Sequence, residues 1–229
     1  MNFSKIKALF LGIFFPRVCL NCQKEGDWLC EDCLAILDIL NFHKKYSIEN
    51  IEDVYFALYY QGNLIKKIIY KFKYPPFIKE ISQILAKILI IHFQLIDKKD
   101  DFSDYILVPV PLEKTRLKWR GFNQAEQIAK DLGEFLKIPL LRDCLLKTKK
   151  TFAQTELSEK ERRENLKGAF FVKKPEKIQK RKILLVDDIF TTGTTLKECA
   201  RVLKKAGAKE IKAVVLAKAK IGEDKIENF

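Results

Sequence analysis

Two adjacent carboxylates and a loop of hydroxyl residues occur together in the sequence ILLVDDIFTTGTT, from residue 183 to residue 195. The apolar residues before Asp187 and Asp188 are continuous rather than alternating, which is typical of a parallel strand covered by helices on both faces. Ligands of open α/β sheets bind beyond the carboxyl ends of the strands. The two carboxylates are therefore predicted to contact a ligand.

The loop after the acids predicts a phosphate site. It leads into a helix that we expect to extend to about Lys205, and its residues are Thr191, Thr192, Gly193, Thr194 and Thr195. The first turn of a helix binds anions through unpaired N–H groups and the positive end of the helix dipole. Because carboxylates repel phosphate, a polyhydroxylated group such as ribose must separate the two, and the implied ligand is a ribose 5-phosphate group. The alternative is that the acids are solvated and the threonines only cap the helix.

A second segment is rich in cations, namely Lys114, Arg116, Lys118 and Arg120. It follows a predicted buried strand from Asp104 to Leu112 and precedes a predicted helix from Asn123 to Lys137. We interpret it as a loop at the same sheet edge as Asp187, two or more strands away. Cations there could neutralise an anionic group of a ligand. A solvated rim of the domain is the alternative.

Two CxxC pairs near the N-terminus predict a metal site, formed by Cys19, Cys22, Cys30 and Cys33. Four thiolates in two knuckles are the ligands that a structural Zn(II) ion requires. Two disulfides of a secreted protein are an alternative, but Cys144 and Cys199 lie in apolar or helical contexts as unpaired thiols, and no export signal is convincing. A redox CxxC motif is the third interpretation.

The remaining apolar patterns predict the elements of an α/β domain. We expect a strand from Val54 to Tyr60, helices from Leu64 to Phe72 and from Ile78 to Leu95, a strand from Leu140 to Leu146, and a short helix from about Ser158. His43 is interpreted as a solvated linker residue and His92 as a core or boundary residue.

The N-terminal apolar run, from Ala8 to Phe15, predicts a short amphipathic helix that docks on the core. The run is too short to cross a bilayer, which requires about 20 residues, and no other segment is apolar enough to be transmembrane. Contact of its phenylalanines with a membrane surface is the alternative.

Length and charge limit the class of protein. The chain has 229 residues, which fits one α/β domain and a small appendage, divided as 1–45 and 50–229. Its 43 Lys and Arg residues exceed its 30 Asp and Glu residues and leave a net charge of +13. This excess favours anionic partners such as phosphorylated metabolites, nucleic acid or an acidic membrane face, although a lysine-rich proteome would produce it too.

Four motifs in order resemble the ComF family of phosphoribosyltransferase-like competence proteins. They are the cysteine knuckles, PVPL with RGFNQAE, the pattern T-x2-Q-x2-L-x4-R-x2-N-x2-GAF that begins at Thr151, and VDDIFTTGTT. The last is also similar to the phosphoribosyl-pyrophosphate (PRPP) motif of type I phosphoribosyltransferases. The resemblance implies a phosphoribosyltransferase-like (Rossmann-like) parallel sheet flanked by helices, with a small N-terminal zinc-ribbon-like module.

The resemblance also implies roles for individual residues. Asp187 and Asp188 would hold the ribose hydroxyls of PRPP and serve any catalysis, the loop from Thr191 to Thr195 would bind the 5-phosphate, and the cationic segment would bind pyrophosphate with Mg(II). A lid against water would include Thr151, Gln154, Arg162 and Asn165. No segment resembles a known purine or pyrimidine pocket, so the acceptor is unidentified.

Two classes of function follow from the resemblance. A cytoplasmic binding module would sense PRPP or a nucleotide and engage single-stranded DNA or proteins of the competence machinery during natural transformation. An enzyme would instead displace pyrophosphate from Mg-bound PRPP at C1 of the ribose. Because no aromatic RNP-like motif is present, we predict that single-stranded nucleic acid binds mainly through its phosphates, with an affinity that falls steeply with salt.

Overall fold

A four-stranded parallel sheet forms the centre of the protein, for which a computed structural model describes residues 16–98, 102–148 and 159–219. The strands of the described ranges are β1 (Asp53–Tyr59), β2 (Tyr105–Pro109), β3 (Leu145–Lys147), β4 (Phe170–Val172), β5 (Lys182–Phe190) and β6 (Glu210–Lys218). The spatial order in the main sheet is β1-β6-β5-β2, with every pair parallel. β3 and β4 form a separate antiparallel pair.

Helices cover both faces of this sheet. In the described ranges they are α1 (Glu31–Ala35), α2 (Asn63–Lys73), α3 (Ile81–Leu95), α4 (Lys114–Arg120), α5 (Gln124–Leu136), α6 (Glu159–Leu166) and α7 (Thr194–Lys205). Buried side chains of α3 and α5 belong to one hydrophobic core, and those of α7 belong to a second core. The predicted sheet flanked by helices is therefore confirmed.

Alternate residues of β5 face the two cores. Leu184 and Val186 belong to the core with α3 and α5, whereas Ile183 and Leu185 belong to the core with α7. All four side chains are fully buried. Because successive strand residues point to opposite faces, a strand covered on both sides needs an apolar residue at every position. This explains the continuous apolar run before the acids.

The cationic segment is a helix, α4, rather than the predicted loop. The Glu113 carboxylate accepts hydrogen bonds from the backbone N–H groups of Thr115 at 2.8 Å and Arg116 at 3.3 Å, and so satisfies donors that a helix start leaves free. Gly121, with φ of 82°, ends the helix in the left-handed conformation. The prediction of two or more intervening strands is also wrong, because β2 lies directly beside β5 and places α4 one strand from Asp187.

The linker residue His43 is not solvated, contrary to prediction. Its Nε2 lies 2.9 Å from Oδ2 of Asp53, its side chain is only 11% exposed, and its ring stacks on Tyr55 with 4.0 Å between centroids. His92 is fully buried, as predicted, and its Nδ1–H donates to the carbonyl oxygen of Leu40 at 2.7 Å. Both histidines thus fasten the segment after the cysteines to the sheet domain.

Some element boundaries also differ from the predictions. Leu140 forms only an isolated bridge with Leu107, and β3 begins later, at Leu145. β4 and β6 lie in segments that no predicted element covers. The predicted helix at residues 8–15 lies outside the described residues. Across the described ranges, every helix is too short or too polar to span a bilayer.

Candidate functional site

A cleft with two compartments opens around the acids of β5. The first has a volume of about 650 Å³ and lies between α2 and the threonine loop, whereas the second, of about 410 Å³, lies beside β2 and α4. The residues that line both compartments are Lys73, Tyr74, Asp187, Asp188 and Thr195. Small-molecule sites typically have volumes of about 300–1,000 Å³, so each compartment could hold part of a small ligand.

The two carboxylates lie within β5, which continues as far as Phe190 instead of ending before them. Asp187 stands opposite Val215 in the register with β6, and its Oδ1 accepts a hydrogen bond from the backbone N–H of Asp188 at 2.9 Å. Asp188 is 8% exposed, and its Oδ1 accepts a hydrogen bond from Nζ of Lys73 at 2.8 Å. Strand pairing therefore holds the backbone of both acids rigidly at the junction of the compartments.

Asp187 has an unusual proton affinity. Burial and the neighbouring charge of Asp188 both disfavour its ionised form, and although Lys73 opposes them, they raise the pKa of Asp187 to about 7. Perturbed carboxyl groups of this kind in a cleft are common in functional sites. A cation or hydroxyl donors between these two adjacent carboxyl groups would reduce the repulsion between them.

The perturbed pKa makes stability depend on pH in a defined direction. The ordinary pKa of an aspartate is 3.8, so between about pH 4 and pH 7 the folded chain keeps a proton on Asp187 that the unfolded chain has lost. The stability that this proton contributes is fully present below about pH 4. It decreases as the pH rises from about 4 and is lost once the pH has passed about 7. We expect Asp187→Asn to raise the free energy of unfolding near pH 8 by on the order of 1–3 kcal/mol, and to change it little near pH 4.

Near pH 8, a ligand whose hydroxyl groups donate to Asp187 should bind the same variant roughly tenfold or more weakly, because hydrogen bonds to a charged acceptor are lost. Urea unfolding at both pH values and ligand titration measure the two effects. Asp104→Asn is the matched control, since Lys182 lowers the pKa of Asp104 and its loss should not stabilise the chain near pH 8. Equal stability of Asp187→Asn and wild type at both pH values would contradict the raised pKa.

The threonine loop begins α7 without a side-chain cap. Gly193 occupies the N-cap position with φ of 72°, and no side chain caps the helix there. The alternative of an ordinary threonine cap therefore does not describe this helix start. Oγ1 of Thr192 and Oγ1 of Thr194 lie 2.7 Å apart and fix the shape of the loop. The loop thus presents small side chains and helix N–H groups to the first compartment, as an anion-binding loop does.

Only part of the predicted cationic group lines the cleft. Arg116 and Arg120 line the second compartment, whereas Lys114 and Lys118 are exposed and are not among its lining residues. The Nε of Arg120 is buried and has no hydrogen-bond partner in the described part of the chain. Burial lowers the pKa of Lys147, which joins the same compartment from β3 and was not predicted. These cations make the second compartment suitable for an anion.

Half of the predicted lid residues belong to the described part of the chain. Thr151 and Gln154 lie outside the described residues. Arg162 belongs to α6, where its backbone alone is described, and Asn165 lies on the same helix, which packs against α7.

Several cleft residues were not among the predicted site residues. Lys73, Tyr70 and Tyr74 come from α2 and its end, and Trp119 comes from α4. One sequence signal was available, because Tyr70 and Tyr74 are aromatic residues at i and i+4 on the otherwise lysine-rich face of an amphipathic helix.

The four predicted cysteines form one cluster that could hold a metal ion. All four Sγ atoms lie within 4.8 Å of one another, and those of Cys22 and Cys30 are 3.5 Å apart. A tetrahedral zinc site with Zn–S bonds of about 2.3 Å requires S···S separations near 3.8 Å, so the donor set fits this ion. The six cysteines of the described ranges are free thiols. This arrangement favours a metal site over the two alternative disulfides.

Comparison with known proteins gives the family of the chain. Residues 78–228 match the family model of the phosphoribosyl transferase domain. Competence protein F of Haemophilus influenzae is 44% identical over 115 residues, which cover 49% of this chain and 50% of that protein. DNA utilization protein YhgH of Escherichia coli K12 is 35% identical over 112 residues, or 49% and 48% of the two chains.

Competence protein ComFC of Streptococcus pneumoniae is 29% identical over 204 residues, which cover 87% of this chain and 80% of that protein. The first two matches span only about half the length of those relatives. The matched range includes β2, α4, β5 and α7, but it begins after α2, whose residues also line the cleft. The chain therefore belongs to the phosphoribosyl transferase domain family and is a ComF-family phosphoribosyltransferase-like protein.

Proposed function

We propose that the cleft binds PRPP as its Mg(II) complex. The observation that carries this proposal is the order of chemical groups along the cleft. The loop from Thr191 to Thr195 lines the first compartment, the acid pair lies at the junction, and Arg116, Arg120 and Lys147 line the second compartment. A ribose with its 5-phosphate toward the loop and its pyrophosphate toward the cations matches this order of charges.

The donor set also suits Mg(II). This ion is typically held by one or two carboxylates together with substrate phosphates, and Asp187 and Asp188 are the carboxylates that line both compartments. When bound, Mg(II) would neutralise part of the pyrophosphate charge. The protein residues would orient the sugar and exclude water from its C1 atom.

Ligand binding on this proposal requires an exchange at Asp188. In the structure the Nζ of Lys73 donates a hydrogen bond to that carboxylate at 2.8 Å. A ribose hydroxyl or Mg(II) would replace the ammonium, and Lys73, which lines both compartments, would then be free to pair with a phosphate. On this proposal the ion pair between Lys73 and Asp188 is exchanged for two contacts to the ligand.

We further propose that the protein acts with single-stranded DNA during DNA uptake, in the cytoplasm, with Zn(II) held by the four cysteines. The printed names of the relatives, a competence protein and a DNA utilization protein, support this setting, as does the net charge of +13. Proteins of the competence machinery are the other partners that this setting implies. The alternative is a catalytically active phosphoribosyltransferase with an unidentified acceptor, which the open room beside the acids in the first compartment favours.

Calorimetric titration with PRPP and with ribose 5-phosphate, each with and without Mg(II), tests the binding proposal. Arg120→Ala should weaken PRPP binding by about ten- to a hundredfold, because hydrogen bonds to charged groups contribute about 1.5–3 kcal/mol each. It should affect ribose 5-phosphate much less. Lys118→Ala is the matched control, since Lys118 lies on the same helix but does not line the cleft.

The proposal is wrong if folded wild-type protein binds neither ligand, or if Arg120→Ala weakens both ligands equally. Release of pyrophosphate from PRPP across a panel of acceptors separates the enzyme from the binding module.

A further inference from the structure

Two tyrosines at the mouth of the first compartment present exposed aromatic surfaces. Tyr70 is 56% exposed and Tyr74 is 43% exposed, and their rings stack with 5.0 Å between centroids and 28° between planes. Both residues line the compartment together with Asp187 and Asp188. Exposed aromatic surface in a cleft marks a binding surface more often than a packing site.

The tyrosines do not serve the hydrophobic core. The core-facing side of α2 is formed by buried side chains at other positions, namely Ile65, Ile68, Ile69 and Phe72. Tyr70 lies on the solvent face between Lys66 and Lys67 on one side and Lys73 on the other, and all three lysines line the same compartment. This face therefore combines a planar apolar surface with several positive charges.

A second aromatic surface lies on the other rim of the cleft. Trp119 is 58% exposed, lines the second compartment, and packs against Phe77 edge to face with 4.6 Å between centroids. Arg116 and Arg120 of the same helix line this compartment as well. Aromatic rings flanked by cations thus occur in both compartments of the cleft.

We infer that the face formed by Lys66, Lys67, Tyr70 and Tyr74 binds single-stranded nucleic acid by base stacking, next to the position proposed for the ribose of PRPP. The rings would stack on a base, since every base has a planar face, and the lysines would pair with the adjoining phosphates. This inference rests on the proposed function and extends it, because it makes the nucleic-acid site and the PRPP site one continuous cleft. It also adds base stacking to the phosphate contacts predicted from the charge of the chain.

Fluorescence anisotropy with a labelled oligothymidylate tests the inference. Tyr70→Leu and Tyr74→Leu should each weaken binding by about five- to a hundredfold, since stacking of one base contributes about 1–3 kcal/mol. Tyr70→Phe and Tyr74→Phe are the matched controls and should bind like wild type. The dependence of affinity on salt should be unchanged in these four variants.

Lys66→Gln with Lys67→Gln should lower the slope of log affinity against log salt by about one to two, because about one counterion is released for each phosphate contact. All the substituted side chains are exposed, so thermal unfolding should show little change in stability and the variants remain usable.

The inference is overturned if both leucine variants bind the oligomer like wild type, if wild type does not bind it at low salt, or if free thymidine monophosphate binds as tightly as the oligomer. Titration of the same variants with PRPP keeps the two proposals separate. If neither wild type nor the leucine variants bind PRPP, and the leucine variants also lose oligomer binding, the stacking face is supported and the PRPP site is rejected. If the leucine variants bind PRPP and also bind the oligomer like wild type, only the stacking face is rejected.

Discussion

Gly193→Val is expected to abolish PRPP binding, with a loss of more than about a hundredfold in affinity. A Cβ atom on Gly193 would lie 2.7 Å from Cε2 and Cζ of the Phe190 ring, closer than atoms can approach, and φ at this position is +72°. Phe190 is buried, so its ring cannot move aside freely. The loop must therefore shift, and the backbone N–H groups proposed to hold the phosphate would lose their positions.

Gly62→Val is the matched control for this substitution. Gly62 has φ of +75°, but a Cβ there has no atom within 4 Å. Both variants should lose stability through backbone strain of roughly 1–3 kcal/mol, and Gly193→Val should lose more because of its contact with Phe190, but only Gly193→Val should lose the ligand. Calorimetry on the folded proteins measures their affinities for PRPP. A Gly193→Val protein whose affinity for PRPP is within about threefold of that of wild type would contradict the proposed phosphate site.

If the cysteine cluster holds Zn(II) as proposed, removal of the ion should have the largest effect on stability. Cys19, Cys30 and Cys33 are buried and pack in the same core as Leu20 and Leu29. Without an ion, four thiols remain side by side and the two knuckles lose the bond that joins them. We expect removal of Zn(II) to lower the free energy of unfolding by at least about 3 kcal/mol, less than the roughly 10–16 kcal/mol of isolated zinc-finger peptides because core packing remains.

Metal analysis, thermal unfolding with and without a chelator, and amide exchange in residues 16–40 measure this effect. Cys19→Ser with Cys33→Ser should reproduce the chelator result. Cys199→Ala is the matched control, because this buried thiol lies on α7, outside the cluster, and should leave the zinc content unchanged. Protein purified under reducing conditions without stoichiometric zinc, and equally stable with chelator, would rule out a structural metal.

The sequence by itself determined those parts of the protein whose chemistry lies within a short stretch of chain. The apolar run before Asp187 predicts a strand buried on both faces, and the loop around Gly193 predicts a helix start. The spacing of the four cysteines predicts a common cluster. In each case the residues that act together are close in the sequence, so local backbone geometry is enough to bring them together.

The order of the strands could be decided only by the tertiary structure. An apolar run indicates a buried strand but does not indicate its partner, because parallel pairs join residues far apart in the chain. β2 pairs with β5, for example through Ile106 and Ile183, and this pairing brings α4 next to Asp187. The sequence therefore placed the cationic segment at the right edge of the sheet, where two of its four cations line the cleft, but it misplaced the segment by at least one strand.

Contacts between distant segments likewise depended on the tertiary structure. Lys73 and Asp188 are 115 positions apart, and only the packing of α2 beside the carboxyl end of β5 joins them. The same packing carries Tyr70 and Tyr74 to the cleft, whereas the lysines of α2 alone predict nothing more than a solvated helix face. His43 was wrongly predicted to be solvated for the same reason. It is a polar residue in an irregular segment, and only the tertiary structure places Asp53 and Tyr55 against it. Local sequence patterns thus located the acids and the threonine loop. Long-range packing decided which other side chains lie next to them in the cleft.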